Sequence, residues 1–125
     1  MFLVELKNRI RSFSYAWKGV QVMFGQHPNF KIQLFFACLA IILGIVCSIS
    51  LLQWCIILLC IGLVLALETI NSAIEYFVDL VHPEFHPLAG RVKDLAAAAV
   101  LIFSIISVIV GLLIFIPALS QIRFY

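Results

Sequence analysis

The sequence predicts an all-α membrane protein: an N-terminal amphipathic surface helix and three transmembrane helices, in a single domain of residues 1–125. Three observations carry this prediction. First, of 125 residues 65% are hydrophobic and only 11% charged, against about 25% charged in an ordinary soluble domain; mean hydropathy is +1.20. Second, three long apolar runs cross the chain. Third, the N-terminal segment interleaves basic and apolar residues at helical spacing. Together these exclude an ordinary soluble domain.

The first element covers residues 1–30. Phe2, Leu3, Leu6, Ile10, Phe13, Trp17 and Phe24 follow one helical face, among Lys7, Arg9, Arg11, Lys18 and Lys31. That pattern suits a helix lying in the membrane interface. A cleaved signal peptide is not expected: the first apolar run begins late, and no small-residue cleavage site follows a short apolar core.

The three spans are expected over 31–51, 53–81 and 92–117, with a loop at 82–91. Ile32–Leu52 and Leu95–Leu119 contain no charge, and each exceeds the roughly 20 residues that a span needs. Trp54–Leu67 is also uncharged but too short alone. It becomes a span only if the polar stretch that follows belongs to the same helix. "SISLLQW" (48–54) and "HPEFHPLAG" (82–90) are brief connections. No internal repeat is visible. Cys38, Cys47, Cys55 and Cys60 all sit in apolar runs with no CxxC pair, as packing residues do.

Lys and Arg set orientation. Five lie in the N-terminal segment; Arg91 and Lys93 follow the second connection, on the same side of a three-span chain. The opposite side carries only Arg123. The N-terminus and the second loop are therefore expected in the cytoplasm, in a multi-pass protein of the cytoplasmic membrane.

The second span ends in "ALETINSAIEYFVDL" (66–80). Measured from Gly62 at 100° per residue, Glu68, Asn71, Glu75 and Asp79 fall at about 240°, 180°, 220° and 260°. They form one stripe. Gly62, Ala66, Thr69 and Ala73 form a second, at about 340–40°, which reads as a close-packing face. Ala97, Ser104, Ser107 and Gly111 on the third span, and Ala37, Ala40, Gly44 and Ser48 on the first, offer similar small-residue faces. Three such helices leave little room for a closed polar pocket, so the polar face is expected to be shared with another copy of the chain.

Glu68 lies about 16 Å along the axis from Asp79, well inside the boundary. A charged acid at mid-bilayer costs about 2.5–3.5 kcal/mol on insertion scales, so it must face a cavity, a partner or an ion. A polar knot fixing helix register is one reading; a non-catalytic or ion-conducting oligomer is another. Catalysis fits the whole set better. Carboxylates at the boundary can hold Mg²⁺ together with phosphate oxygens and water. A buried Glu can act as a general base, and Arg91 and Lys93 can meet phosphates. These parts suit phosphoryl transfer to a lipid alcohol. No GxxxxGK[ST] motif and no kinase Gly-rich loop is present.

"ExxNxAIExxxD" (Glu68, Asn71, Ala73, Ile74, Glu75, Asp79) followed by "EFHPLAGRVKDLAAAAV" (84–100), together with "SYAWKG" (14–19), resembles the small prokaryotic diacylglycerol kinases, a family that includes the undecaprenol kinases. The resemblance runs from about residue 9 to 116. It implies a homotrimeric ATP-dependent lipid kinase using Mg²⁺, and no nucleic-acid partner. It implies Glu68 as general base, at the lipid site, with Asn71 near the transferring group. It implies Glu75 as ligand of the metal and the nucleotide phosphates, and Tyr15, Asp79, Glu84, His86, Lys93 and Asp94 around the nucleotide. Trp17 and Ala97 match lipid-contact positions. The family's second metal-binding Glu aligns with His27, a poor ligand for hard Mg²⁺. The loop and "KDLAAAAV" look closer to the undecaprenol kinases, with diacylglycerol kept as the other substrate, for cell-envelope lipid-carrier or phospholipid metabolism.

Overall fold

The computed structural model describes residues 2–121. The side chains of Phe2, Leu3 and Leu6, and the whole of Arg123, lie outside the described residues. Four helices follow one another: α1 (Phe2–Gln26), α2 (Pro28–Val46), α3 (Leu51–Val81) and α4 (Pro87–Ser120). The described residues contain no strand. The last three helices are each long and apolar enough to cross a membrane.

Local chemistry places every break. His27 is extended, with φ −111° and ψ 98°, because the residue before a proline is pushed out of the helical region. Pro28 then starts α2, where its missing N–H costs nothing. The surface helix therefore stops at Gln26 and the first span begins at Pro28, not at residue 31. That span ends at Val46 instead of 51. Ser48 turns the chain with φ 49°, and Ser50 caps α3. The Ser50 hydroxyl accepts from the Gln53 N–H at 3.3 Å, and the Ser50 N–H donates to Gln53 Oε1 at 2.8 Å. This capping box starts α3 two residues earlier than the expected 53. His86 caps α4, its Nδ1 accepting from the Leu88 N–H at 3.2 Å, with Pro87 at the first helical position. The expected 82–91 loop thus shrinks to 82–86. At the other end α4 carries Pro117 through to Ser120 instead of stopping there.

Helix α3 packs chiefly on α4 and less on α2; α1 touches α2 only at its end. Ile49, Ile57, Ile114 and Phe115 form the buried cluster, with Leu43, Trp54 and Val110 against it. This cluster lies at the end of the bundle where α2 turns into α3. Gly44 allows the close approach there: a Cβ would lie 2.7 Å from Trp54 Cη2. Most other large apolar side chains are exposed, as lipid-facing residues are.

Gly62, Ala66, Thr69 and Ala73 face away from the chain's own helices, and a Cβ on Gly62 would meet nothing within 4 Å. The chain's own helices pack on the opposite side of α3, around its polar stripe. Polar groups left facing hydrocarbon cost more than small apolar ones, so the polar face is the one turned inward. On α2 and α4 most of the small residues face the bundle: Ala37 and Gly44 are buried and Ala40, Ser104, Ser107 and Gly111 half-buried, whereas Ser48 and Ala97 are exposed.

Candidate active site

The polar half of α3 meets the N-terminal end of α2. Glu68 is 4% exposed, Asn71 7% and Ser72 2%. Burial comes from within one chain, because these residues lie at the centre of the face that α2 and α4 cover. Gln33 of α2 donates from Nε2 to Glu68 Oε2 at 2.9 Å. One turn along, Asn71 Nδ2 donates to Glu75 Oε1 at 3.1 Å. Each carboxylate, which can only accept, is thus held by one amide N–H. Hydrogen bonds to charged groups contribute about 1.5–3 kcal/mol, which offsets part of the cost of burying them.

Each amide is left half satisfied. Gln33 Oε1 and Asn71 Oδ1 are buried and have no hydrogen-bond partner among the described residues. A buried acceptor without a partner costs about 1–3 kcal/mol. Both oxygens are suited to a hydroxyl donor or a hard cation.

His27 meets α3 next to this stripe, through Ser72 and Tyr76. Its Nδ1 is 3.1 Å from the Ser72 hydroxyl and its Nε2 is 2.9 Å from the Tyr76 hydroxyl. Tyr76 in turn donates to Gln26 Oε1 at 2.8 Å. Further along, Lys93 of α4 donates to Asp79 Oδ1 of α3. Their side chains are 34% and 61% exposed, so the pair ties the two helices loosely.

The sequence-derived set divides accordingly. Glu68, Asn71 and Glu75 come together, and Asp79 joins Lys93. Glu84, Asp94 and Ala97 are exposed, and no hydrogen bond or ion pair among the described residues joins them to the carboxylates. His86 is used as the α4 cap, its ring stacked on His82 at 5.3 Å. Tyr15 and Trp17 are exposed on α1, with Lys18 Nζ 5.7 Å from the Tyr15 ring centroid. Gln26, Gln33, Ser72 and Tyr76 were not anticipated. Gln33 had a signal: it is the one amide in a 21-residue uncharged run, and a polar side chain there needs a partner just as Glu68 does.

An apolar groove of about 440 Å³ runs between α2 and α4 over α3. Gln33 lines it, together with Phe36, Leu43, Val64, Val108 and Leu119 among others. The residue that holds Glu68 therefore also lines the groove.

The comparisons agree with this picture. Residues 14–115 match the prokaryotic diacylglycerol kinase family. The undecaprenol kinase of Bacillus subtilis (strain 168) is 43% identical over 115 residues, covering 92% of this chain and 94% of the relative. The diacylglycerol kinase of Escherichia coli (strain K12) is 33% identical over 100 residues, 80% of this chain and 82% of the relative. That of Haemophilus influenzae (strain ATCC 51907 / DSM 11121 / KW20 / Rd) is 32% identical over 111 residues, 88% and 94%. These relatives displace the reading as a non-catalytic or ion-conducting oligomer. The chain belongs to the prokaryotic diacylglycerol kinase family and is a membrane lipid kinase with ATP as co-substrate.

Proposed function

We propose that the chain transfers the ATP γ-phosphate to the hydroxyl of a polyprenol, undecaprenol in preference to diacylglycerol, at the cytoplasmic boundary of the membrane. The observation that carries this reading is Glu68: a buried carboxylate held by Gln33, which also lines an apolar groove. The lipid chain lies along that groove with its hydroxyl at Glu68. Glu68 takes the hydroxyl proton as the alcohol oxygen bonds to the γ-phosphorus. The bond from that phosphorus to the bridging β,γ-oxygen breaks, and ADP leaves. The choice of lipid is supported by the 43% identity to an undecaprenol kinase, against 33% and 32% to the two diacylglycerol kinases.

Among the described residues no three His, Cys, Asp or Glu side chains come together as a metal cage. Mg²⁺ rarely needs one, since one or two carboxylates with phosphate oxygens and water suffice. Glu75 fits that role, and the unpartnered Asn71 Oδ1 adds a hard oxygen one turn away. When bound, the cation neutralises charge on the transferring phosphoryl group. Lys93 and Asp79, with Asp94, His86, Glu84 and Tyr15, surround the nucleotide. Trp17 and Ala97 contact the lipid. Seven basic residues on one side of the spans support the cytoplasmic placement, and the outward small-residue stripe of α3 supports self-association as a homotrimer.

Labelled ATP, Mg²⁺ and purified protein in detergent, with undecaprenol or diacylglycerol, test the reading. Label should enter undecaprenol faster. Equal or faster transfer to diacylglycerol overturns the lipid assignment, and transfer undiminished in Glu68→Gln overturns the base.

A further inference from the structure

The resemblance to the family places a metal-binding acid at His27, and the structure gives this residue a different setting. Its ring sits in an unbroken hydrogen-bond chain: Ser72, His27, Tyr76, Gln26. The direction of the chain follows from one proton. The Tyr76 hydroxyl donates to Gln26 Oε1, so its oxygen receives the Nε2–H of His27. The Nδ1 lone pair of the neutral ring then accepts from the Ser72 hydroxyl. Both ring nitrogens are engaged: a metal ion could take the Nδ1 lone pair only by displacing the Ser72 hydroxyl, and Nε2 only after its proton is lost.

Position on α3 agrees. Ser72 and Tyr76 lie at about 280° and 320° on the helix, whereas Asn71 and Glu75 lie at about 180° and 220°. The histidine is therefore held on one flank of the polar face, with the Glu75–Asn71 pair on the other. The edge-on contact of the His27 and Tyr76 rings, 5.5 Å apart at 84°, seats the imidazole further. Ser72 is 2% exposed, more deeply buried than either Glu68 or Asn71. Gln26 and His27 are the junction between α1 and α2. Two consecutive junction residues thus grip two residues one turn apart on α3.

We propose that His27 is a positioning residue, the centre of a metal-free clasp that fixes the α1–α2 junction onto α3, and that the cation rests on Glu75 as its single carboxylate. The second half depends on the Mg²⁺–nucleotide reading above. The clasp holds by hydrogen bonds the junction where the resemblance implies a metal-binding acid.

The test reads metal affinity and melting separately. Mn²⁺ binding by the full chain in detergent, with a non-hydrolysable ATP analogue, is followed by electron paramagnetic resonance. Glu75→Gln should weaken Mn²⁺ at least tenfold, and His27→Ala should leave it within twofold. Thermal melting should fall by several degrees in His27→Ala, and Ser72→Ala should add almost nothing in that background, because its partner is already gone. Tenfold weaker Mn²⁺ binding in His27→Ala overturns the proposal while the cation reading survives. A full additive loss from Ser72→Ala overturns the clasp. Absence of Mn²⁺ binding in the parent chain overturns the cation reading itself, and the melting cycle then decides the clasp alone. If His27→Ala does not fold, His27→Gln, which keeps a polar arm, takes its place in both measurements.

Discussion

The two ends of the bundle solve the same problem in opposite ways. At the α2–α3 turn, Ile49, Ile57, Ile114 and Phe115 are packed with Trp54 against Gly44, and the turn satisfies its own backbone through the Ser50–Gln53 capping box. At the other end the helices meet through amides, carboxylates, a histidine and a tyrosine, and two buried oxygens have no partner. Dense apolar packing has no use for a ligand. An incompletely satisfied polar network does, because a substrate or cation can supply what the fold withholds. One end is packed for stability and the other leaves polar groups that a ligand could satisfy.

That contrast can be broken from either side. The largest effect is expected from Glu68→Gln, which keeps the shape and removes the proposed base: transfer should fall by about 10²–10⁴-fold with folding retained, read by label transfer and helical circular dichroism. Gln33→Met keeps the length and removes the donor to Glu68. Its kcat should fall by about tenfold or more, equivalent to roughly 1.4 kcal/mol or more, with the KM for ATP unchanged. An unaltered kcat would mean that Gln33 is only packing. At the apolar end, Gly44→Ala places a methyl against the Trp54 ring, and overpacking of this kind costs about 1–3 kcal/mol. A lower melting temperature with normal kcat is expected, the reverse of the Gln33 outcome. Ser50→Ala removes the cap and should cost about 0.5–2 kcal/mol, again without touching kcat. The smallest change is expected from Asp79→Asn: the pair with Lys93 is substantially exposed, so it contributes about 1 kcal/mol or less to stability.

Much of the fold was legible because a bilayer imposes simple rules. Ile32–Leu52 and Leu95–Leu119 announce spans by length and lack of charge alone. The ends of the helices were harder, since an apolar run continues through a turn. Ser50 with Gln53 three residues on, and Pro28 and Pro87 after histidines, carried that information more sharply than hydropathy did. The stripe of Glu68, Asn71, Glu75 and Asp79 was also legible, because helical periodicity puts them on one face whatever surrounds the helix.

What the sequence determined by itself is therefore local or periodic: the number of spans, the caps, and which residues share a face. Which face turns inward was decided by the tertiary structure, which buries Glu68 and Asn71 of the polar stripe and leaves Gly62, Ala66, Thr69 and Ala73 outside. The partners were decided there too. Gln33 and Glu68 are 35 residues apart, and His27 lies 45 and 49 residues from Ser72 and Tyr76. Such contacts depend on the rotation and axial register of one helix against another. Those are set by packing across the whole bundle, and no single helix encodes them.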